Sequence, residues 1–554
     1  MKIKKGKNLF IISGLLLTIL ITGCSLKNSQ MNEGKKDNIK GISDNKSEYE
    51  KILDETLAGI LREDTIAIVY DSDDRNIGID KIAHQITFKD NNIILSDNSI
   101  GKIKGSNLII QQPGTYVVSG TINDGQIIVN SEESGTVHLI FDGVSITAKN
   151  RPPLFIKNAT KTVLTLNKDT KNYLFDSGIY EYYNASEDEL DAAVSSNGNL
   201  TINGSGNLTV TANYKDGIAS KKELKFVGSN VNVKSKENGI KGKDYIAMES
   251  GTLSVVAGGD GLKSTNSEDP SLGHVVIDGG LINIKATHEG IQAKTSIKMN
   301  NGKVSITSKG DGMHAQSNVY VHDGELGVNS YMDGVQGNRS ICITGGKINL
   351  TTTEGSSFST EGSSFSSEGS SLNDKGTTIR GEGLKTNKMI GVIGGTIEID
   401  SMGTAIYSNQ FVNIYGGTIN VLSGANSIYA KESLNVHGGE LIAVGGQTMT
   451  YTSTANTSTQ YSMIINYEDI QKANTLFHIE GEDGEKIVTY GPTKDYQSLI
   501  ISSSFFKKGG TYHLYSGGSV TGDELGNPGT NESYSGGNLL KSFEITSIIT
   551  QLLE

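Results

Sequence analysis

Residues 311–337 read DGMHAQSNVYVHDGELGVNSYMDGVQG, and the opening word Asp311-Gly312-Met313 returns 22 positions later as Asp333-Gly334-Val335. Working towards the N-terminus, the same word stands at Glu289-Gly290-Ile291, Asp260-Gly261-Leu262, Asn238-Gly239-Ile240 and Asp216-Gly217-Ile218. Towards the C-terminus it becomes Glu382-Gly383-Leu384, Thr404-Ala405-Ile406 and Asn426-Ser427-Ile428. Two intervals, of 29 and 49, are read as a 22-residue unit carrying insertions of 7 and 27 residues. A fixed period this short means that one supersecondary unit is stacked along an axis, a solenoid.

Numbering each unit from its first word-residue as zero, offset +2 is apolar throughout and offset +4 is small, as in Ser220, Gly242, Ala293, Ala315 and Gly337. Offsets +8 and +10 are apolar (Leu224/Phe226, Ile297/Met299, Leu434/Val436), as are +15 and +17 (Val231/Val233, Val304/Ile306, Leu441/Ala443). Each unit thus holds three short strands with period-2 alternation, separated by polar or Gly turns. Offset +13 is Gly in every unit but the first, where Ser229 stands, which suggests a corner with positive φ. The Leu-x-x-Leu-x-Leu frame of leucine-rich repeats is absent, and a nine-residue calcium β-roll has the wrong period. The predicted fold is all-β: a right-handed parallel β-helix of about 22 residues and three strands per coil.

The regular coils are expected over 191–445, with insertions near 266–273 and 353–379; the second repeats Glu-Gly-Ser-Ser at period seven and reads as a mobile loop. Residues 66–190 carry short β runs without the clean period and read as irregular N-terminal coils or a cap. Residues 446–554 lose the period, and runs such as Ser462–Asn466 and Thr511–Tyr515 alternate like the antiparallel strands of a small capping domain. Residues 1–24 place four lysines before an apolar run that ends Ile21-Thr22-Gly23-Cys24, a secretory signal whose ending resembles a bacterial lipobox. Cys24 is therefore the expected site of diacylation, residues 25–65 a polar tether, and the outside of the cytoplasmic membrane the expected location. A formal charge of −12 argues against a nucleic-acid partner. Cys342 falls at an outward strand offset.

Offset zero carries Asp216, Asp260, Glu289, Asp311, Asp333 and Glu382, with Asn238 among them. Stacked strands lie ~4.8 Å apart, and two full charges at that spacing repel by roughly 1 kcal/mol in water and more when desolvated. An outward column of this kind is tolerable if solvated, partly protonated or bridged by cations, and calcium suits bridging carboxylates and turn carbonyls. The alternative is that Asp-Gly is turn chemistry, the carboxylate satisfying turn amides. Glu, a poorer turn residue, favours the cation. Offset +3 reads Lys241, Lys263, Gln292, His314, Gln336, Lys385, Tyr407 and Tyr429, a row of donors, positive charge and aromatic rings suited to polysaccharide, or simply a solvated row that neutralises the acids. Outward Asn232, Asn283, Asn349 and Asn420 read as a structural hydrogen-bonding face.

The coil patterns Asp-Gly-Ile-x-Ser and Ile-x-Gly-Gly-x-Ile-x-Ile, the segment Gly114-Thr-Tyr-Val-Val-Ser-Gly120 and the tail Asp495-Tyr-Gln-Ser-Leu-Ile-Ile-Ser502 resemble the bacterial carbohydrate-binding domain-containing proteins once classed as a domain of unknown function. The similarity covers roughly residues 80–554. It implies a calcium-bearing, non-catalytic parallel β-helix that binds cellulose or polygalacturonate, as a clostridial member of the family does. The loss of the acid at Thr404 and Asn426 departs from that pattern. Two other readings stay open. One is a pectate-type lyase, for which Arg is scarce in the repeats (Arg339 and Arg380); the other is a surface adhesin with a protein partner.

Overall fold

The computed structural model describes residues 66–79, 82–178, 180, 191–355, 379–449, 457–521 and 533–554. The readings placed on Cys24 and the tether, and on most of the longer insertion, lie outside these residues. All regular elements among the described residues are β-strands.

The 22-residue period becomes register. Ile240 sits opposite Ile218 and Leu262, Ile291 opposite Met313, and Ile406 opposite Leu384 and Ile428, all in parallel. Both insertions are passed over: Leu262 pairs with Ile291, and Val335 with Leu384. Parallel pairing continues at offsets +8 to +10 and +14 to +18, giving three ladders. The first is a 14-stranded sheet; the other two share a 27-stranded sheet. They are joined because strands such as Glu223–Ser235 and Tyr245–Ala257 run unbroken from one ladder into the next.

Inward positions of all three ladders form one continuous core, from Ile86 through Ile218, Phe226, Val231 and Met313 to Ala443. Each fully buried aliphatic side chain there contributes about 1.5–3 kcal/mol relative to exposure. Parallel pairing begins earlier than the sequence period, at His84–Phe88 against Tyr116–Gly120. After Gly445 antiparallel pairing enters: Tyr496–Ser502 lies between Glu440–Gly445 and Ser462–Gln471, and the latter pairs in parallel with Ile549–Leu553. A separate four-stranded antiparallel sheet packs Phe477, Ile479, Leu514 and Phe543 against Leu422, Ile442, Val444 and Leu499 of the larger sheet, in a second core.

Two kinds of glycine hold the repeats together. Those at offset +13 have φ between +86° and +106°, as the corner requires. In the exceptional first unit Gly228 takes the positive φ (+67°) one residue early, and the ladder shifts register there instead of at Ser229. The word glycines are different: they are not left-handed but crowded. A Cβ on Gly312 would stand 2.2 Å from Val328 Cγ1 and 2.5 Å from the Gly334 carbonyl oxygen.

The shorter insertion is ordered. Asn266 is buried and its Oδ1 accepts the amides of Glu268 and Asp269, while Ser264 Oγ donates to the Gly273 carbonyl. Cys342, although outward on its strand, is only 2% exposed and packs in a small cluster with Tyr320, Ile66, Met389 and Ile393. The cover includes Ile66, which begins an arm whose residues 66–76 lie against the outside of the second ladder, with a turn at 72–75. Gly312→Ala should lower stability by about 1–3 kcal/mol through overpacking, read as a drop in denaturant midpoint at unchanged m-value. An unchanged midpoint would show that the close approach is not enforced.

Candidate functional site

The offset-zero residues precede the first-ladder strands, where each amide has lost its strand partner and needs another acceptor. The preceding repeat supplies it. The Asn238 amide donates to Asp216 Oδ1 (2.9 Å), Asp260 to Asn238 Oδ1 (3.1 Å), Glu289 to Asp260 Oδ1 (3.1 Å), Asp333 to Asp311 Oδ1 (3.0 Å) and Glu382 to Asp333 Oδ1 (2.9 Å). This corrects the expected outward column: Asp216, Asp260, Asp311 and Asp333 are at most 4% exposed, and Glu289 and Glu382 are half-buried. Turn chemistry is thus part of their role, and Asn238 serves it as well as Asp does.

The remaining carboxylate oxygens are covered by the offset +3 row. Lys241 Nζ lies 3.1 Å from Asp216 Oδ2 and 2.7 Å from Asp191 Oδ2; Lys263 lies 2.6 Å from Asp260 Oδ2. His314 Nδ1 is 3.1 Å from Asp311 Oδ2, and Lys385 bridges Asp333 (3.0 Å) and Glu382 (3.2 Å). With its nitrogen turned inward, the Gln336 amide donates to Asp333 Oδ2 (2.9 Å) and reaches Asp311 Oδ2 (3.3 Å). Gln292, half-buried, stands in register between Lys263 and His314. The row ends in Tyr407 and Tyr429, stacked at 5.0 Å and 14°, so each ring covers one face of the other. Tyr407 also donates to Asn409 Oδ1, and Tyr429 is the more exposed.

Burial and pairing set the protonation of the column. Burial, then the hydrogen bond and negative charge of Asp260, push Glu289 up to about 8; burial and Asp333 do the same to Glu382. Burial alone would raise Asp260, but the Glu289 carboxyl and Lys263 hold it below the usual carboxylate range. Each Glu therefore acts as the protonated partner of an Asp one repeat earlier. Burial opposes the charge on Lys241 and Lys385, yet their flanking carboxylates outweigh it and hold both pKa values above the ordinary lysine value.

The six acids differ as cation ligands. At Asp216 and at Asp333/Glu382 a lysine ammonium already takes the position between carboxylates that a bridging ion would need. Around Glu289 the donors converge differently. Asp260, His288 and Glu289 form one group, and Glu289, Asp311 and His314 a second, with ligand atoms within 4.8 Å of one another in each. Oxygen donors there suit calcium, while the two imidazoles also suit a first-row divalent metal. His288 escapes sequence reading because no other repeat has His at offset −1; Asp191 escapes because it precedes the first word by 25 residues instead of 22.

Two predictions follow from this geometry. Asp311→Asn keeps an Oδ1 acceptor and should remain within about 1 kcal/mol of the parent, whereas Asp311→Ala leaves the Asp333 amide without its partner and should cost about 1–3 kcal/mol by denaturant unfolding. Equal effects of the two would remove the inter-repeat bridge as their cause. For pH, the folded state retains protons on Glu289 and Glu382 that the unfolded chain releases near 4.5, so their contribution is intact below that pH and is lost as pH rises towards about 8. The double variant Glu289→Gln/Glu382→Gln should flatten the fall in melting temperature across that window; an unchanged slope would place the titration elsewhere.

A model of the carbohydrate-binding domain-containing protein family matches residues 104–354 and 304–426, together more than half of the 554 residues. A carbohydrate-binding domain-containing protein of Acetivibrio thermocellus is 37% identical over 147 residues, which are 26% of this chain and 51% of the relative. The chain thus spans about half the length of that curated relative. A solved polysaccharide lyase-like protein from C. thermocellum shares 34% identity, covering 41% of this chain and 92% of the other, with a TM-score of 0.40. The extent of the family match decides the assignment: this chain belongs to the carbohydrate-binding domain-containing protein family.

Proposed function

We propose that this protein is a non-catalytic, cation-assisted binder of acidic polysaccharide, held outside the cytoplasmic membrane by diacylation at Cys24. In this reading the three ladders wind as a right-handed parallel β-helix, closed at its C-terminal end by residues 446–554. One observation carries the choice of ligand. The four aspartates of the sequence column lie beneath a layer of Lys241, Lys263, His314, Gln336 and Lys385, so cations and amides stand above them on that face, beside the half-buried Glu289 and Glu382. Two positions along, the amides of Asn338 and Asn409 reach back to Gln316 and Asn387, and Lys294 and Lys431 stand exposed. A polyuronate, with a carboxylate and hydroxyls on each sugar, matches such a row.

A cation is placed at the Glu289 group, where it would take the protons' role in relieving charge among Asp260, Glu289 and Asp311. The residues there bind and orient; no step of bond cleavage is assigned. A lyase base would be a lysine or arginine with a lowered pKa, and pairing moves Lys241 and Lys385 the opposite way.

Calorimetric titration of the full chain with polygalacturonate, with calcium and then with chelator, tests this reading. Saturable binding is expected, weaker on chelation and at high salt. Lys294→Glu/Lys431→Glu should lower affinity about tenfold at unchanged stability. Absence of saturable binding in every condition would reject the acidic-glycan reading.

A further inference from the structure

The second ladder presents outward side chains to residues 66–76. Over Asp71–Asp74 the arm supplies the carboxylates Asp71, Asp73 and Asp74, and the ladder supplies cations and donors. Lys161 Nζ meets Asp71 Oδ1 at 2.7 Å and Asp74 Oδ1 at 2.7 Å; Lys225 Nζ meets Asp74 Oδ2 at 3.2 Å. Thr201 donates to Asp74 (2.5 Å), Thr136 to Asp73 (2.6 Å), and Asn203 Nδ2 to the carbonyls of Asp74 and Asn76 (2.9 Å each). Lys225 further donates to the Val69 carbonyl at 2.9 Å. Asp74 and Asn203 are wholly buried, and Lys225 and Thr201 nearly so.

These ladder residues sit at outward strand positions, where side chains ordinarily face water. Lifting the arm would therefore open a strip of two ammonium groups, two hydroxyls and an amide across neighbouring rungs. One carboxylate of the strand itself, Glu223, remains 3.1 Å from Lys225. On the rungs beyond Lys225 the complementarity reverses, Glu249 receiving Arg75 from the same turn and Asp278 receiving Tyr70, so the strip is confined to Thr136–Lys225.

We infer that this strip is a second binding site for a linear polyanion of the polyuronate class, and that the arm is its built-in competitor. The arm is itself the observation that carboxylates fit here: it sets Asp71, Asp73 and Asp74 at a turn over residues 72–75, with their side chains on Lys161, Lys225, Thr136 and Thr201. A uronate chain carries one carboxylate per sugar and offers hydroxyls to Thr and Asn. Release of the arm breaks the ion pairs of Lys161 and Lys225, and the carboxylates of an incoming ligand would replace them. The inference rests on the acidic-glycan reading above but is separable from it.

Hydrogen exchange of the full chain, with saturating polygalacturonate and with a neutral cellulose oligomer, tests it directly. Amides of residues 69–76 should exchange at least about tenfold faster with polygalacturonate and be unchanged with the neutral sugar. D71N/D73N, which weakens the arm at its two less buried carboxylates, should raise polygalacturonate affinity, and adding K161M should cancel the gain. If polygalacturonate binds while arm exchange stays constant, the strip is overturned and the first-ladder reading survives. If it binds nowhere, both fall.

Discussion

The structure depends on one hydrogen bond made at five of the nine repeats, from the opening amide to the side-chain oxygen of Asp or Asn one repeat earlier. At this corner the chain has left the third ladder and not yet joined the first, and a buried amide without an acceptor costs about 1–3 kcal/mol. A short side chain ending in an oxygen solves the problem at constant spacing. The solution imposes a second constraint, because Asp brings a second oxygen and a charge into the same buried place. The lysines, His314 and Gln336 above the column, and the protons on Glu289 and Glu382, are answers to that charge.

The two glutamates stand where the stack is interrupted. Glu289 opens the repeat after the shorter insertion and Glu382 the repeat after the longer one. The longer side chain turns to the neighbouring carboxylate, which with burial raises the pKa of each Glu. A preference for Glu, read from sequence as a ligand preference, thus has a structural partner in each case. Only at Glu289 do histidines join the cluster.

Period, strand positions, the corner glycines and the location of both insertions were legible in the sequence because each is a local property repeated at constant spacing. Gly228 standing in for Ser229 shows the limit of that reading, since the backbone demand moved by one residue while the period did not. Burial of the acids was not legible: a polar residue before Gly reads as an exposed turn, and only the neighbouring repeats reveal that it is roofed. Nor was the cover over Cys342, Lys225 and Tyr320. It comes from an arm some 150 residues away from Lys225 in sequence and has no periodic trace.

The arm also sets how the protein would bear a mechanical load. It runs against the direction of stacking, from Ile66 beside Lys298 and Tyr320 to Asn76 beside Asn203 and Thr165. Tension arriving from upstream of Ile66 would enter the stack near its middle and draw the arm lengthwise along the ladder. Its ion pairs would then be strained together, in shear, before the force reached the first coil. A chain fastened at its terminal coil would instead be peeled open one rung after another, so the placement of this short segment determines which coils are pulled last.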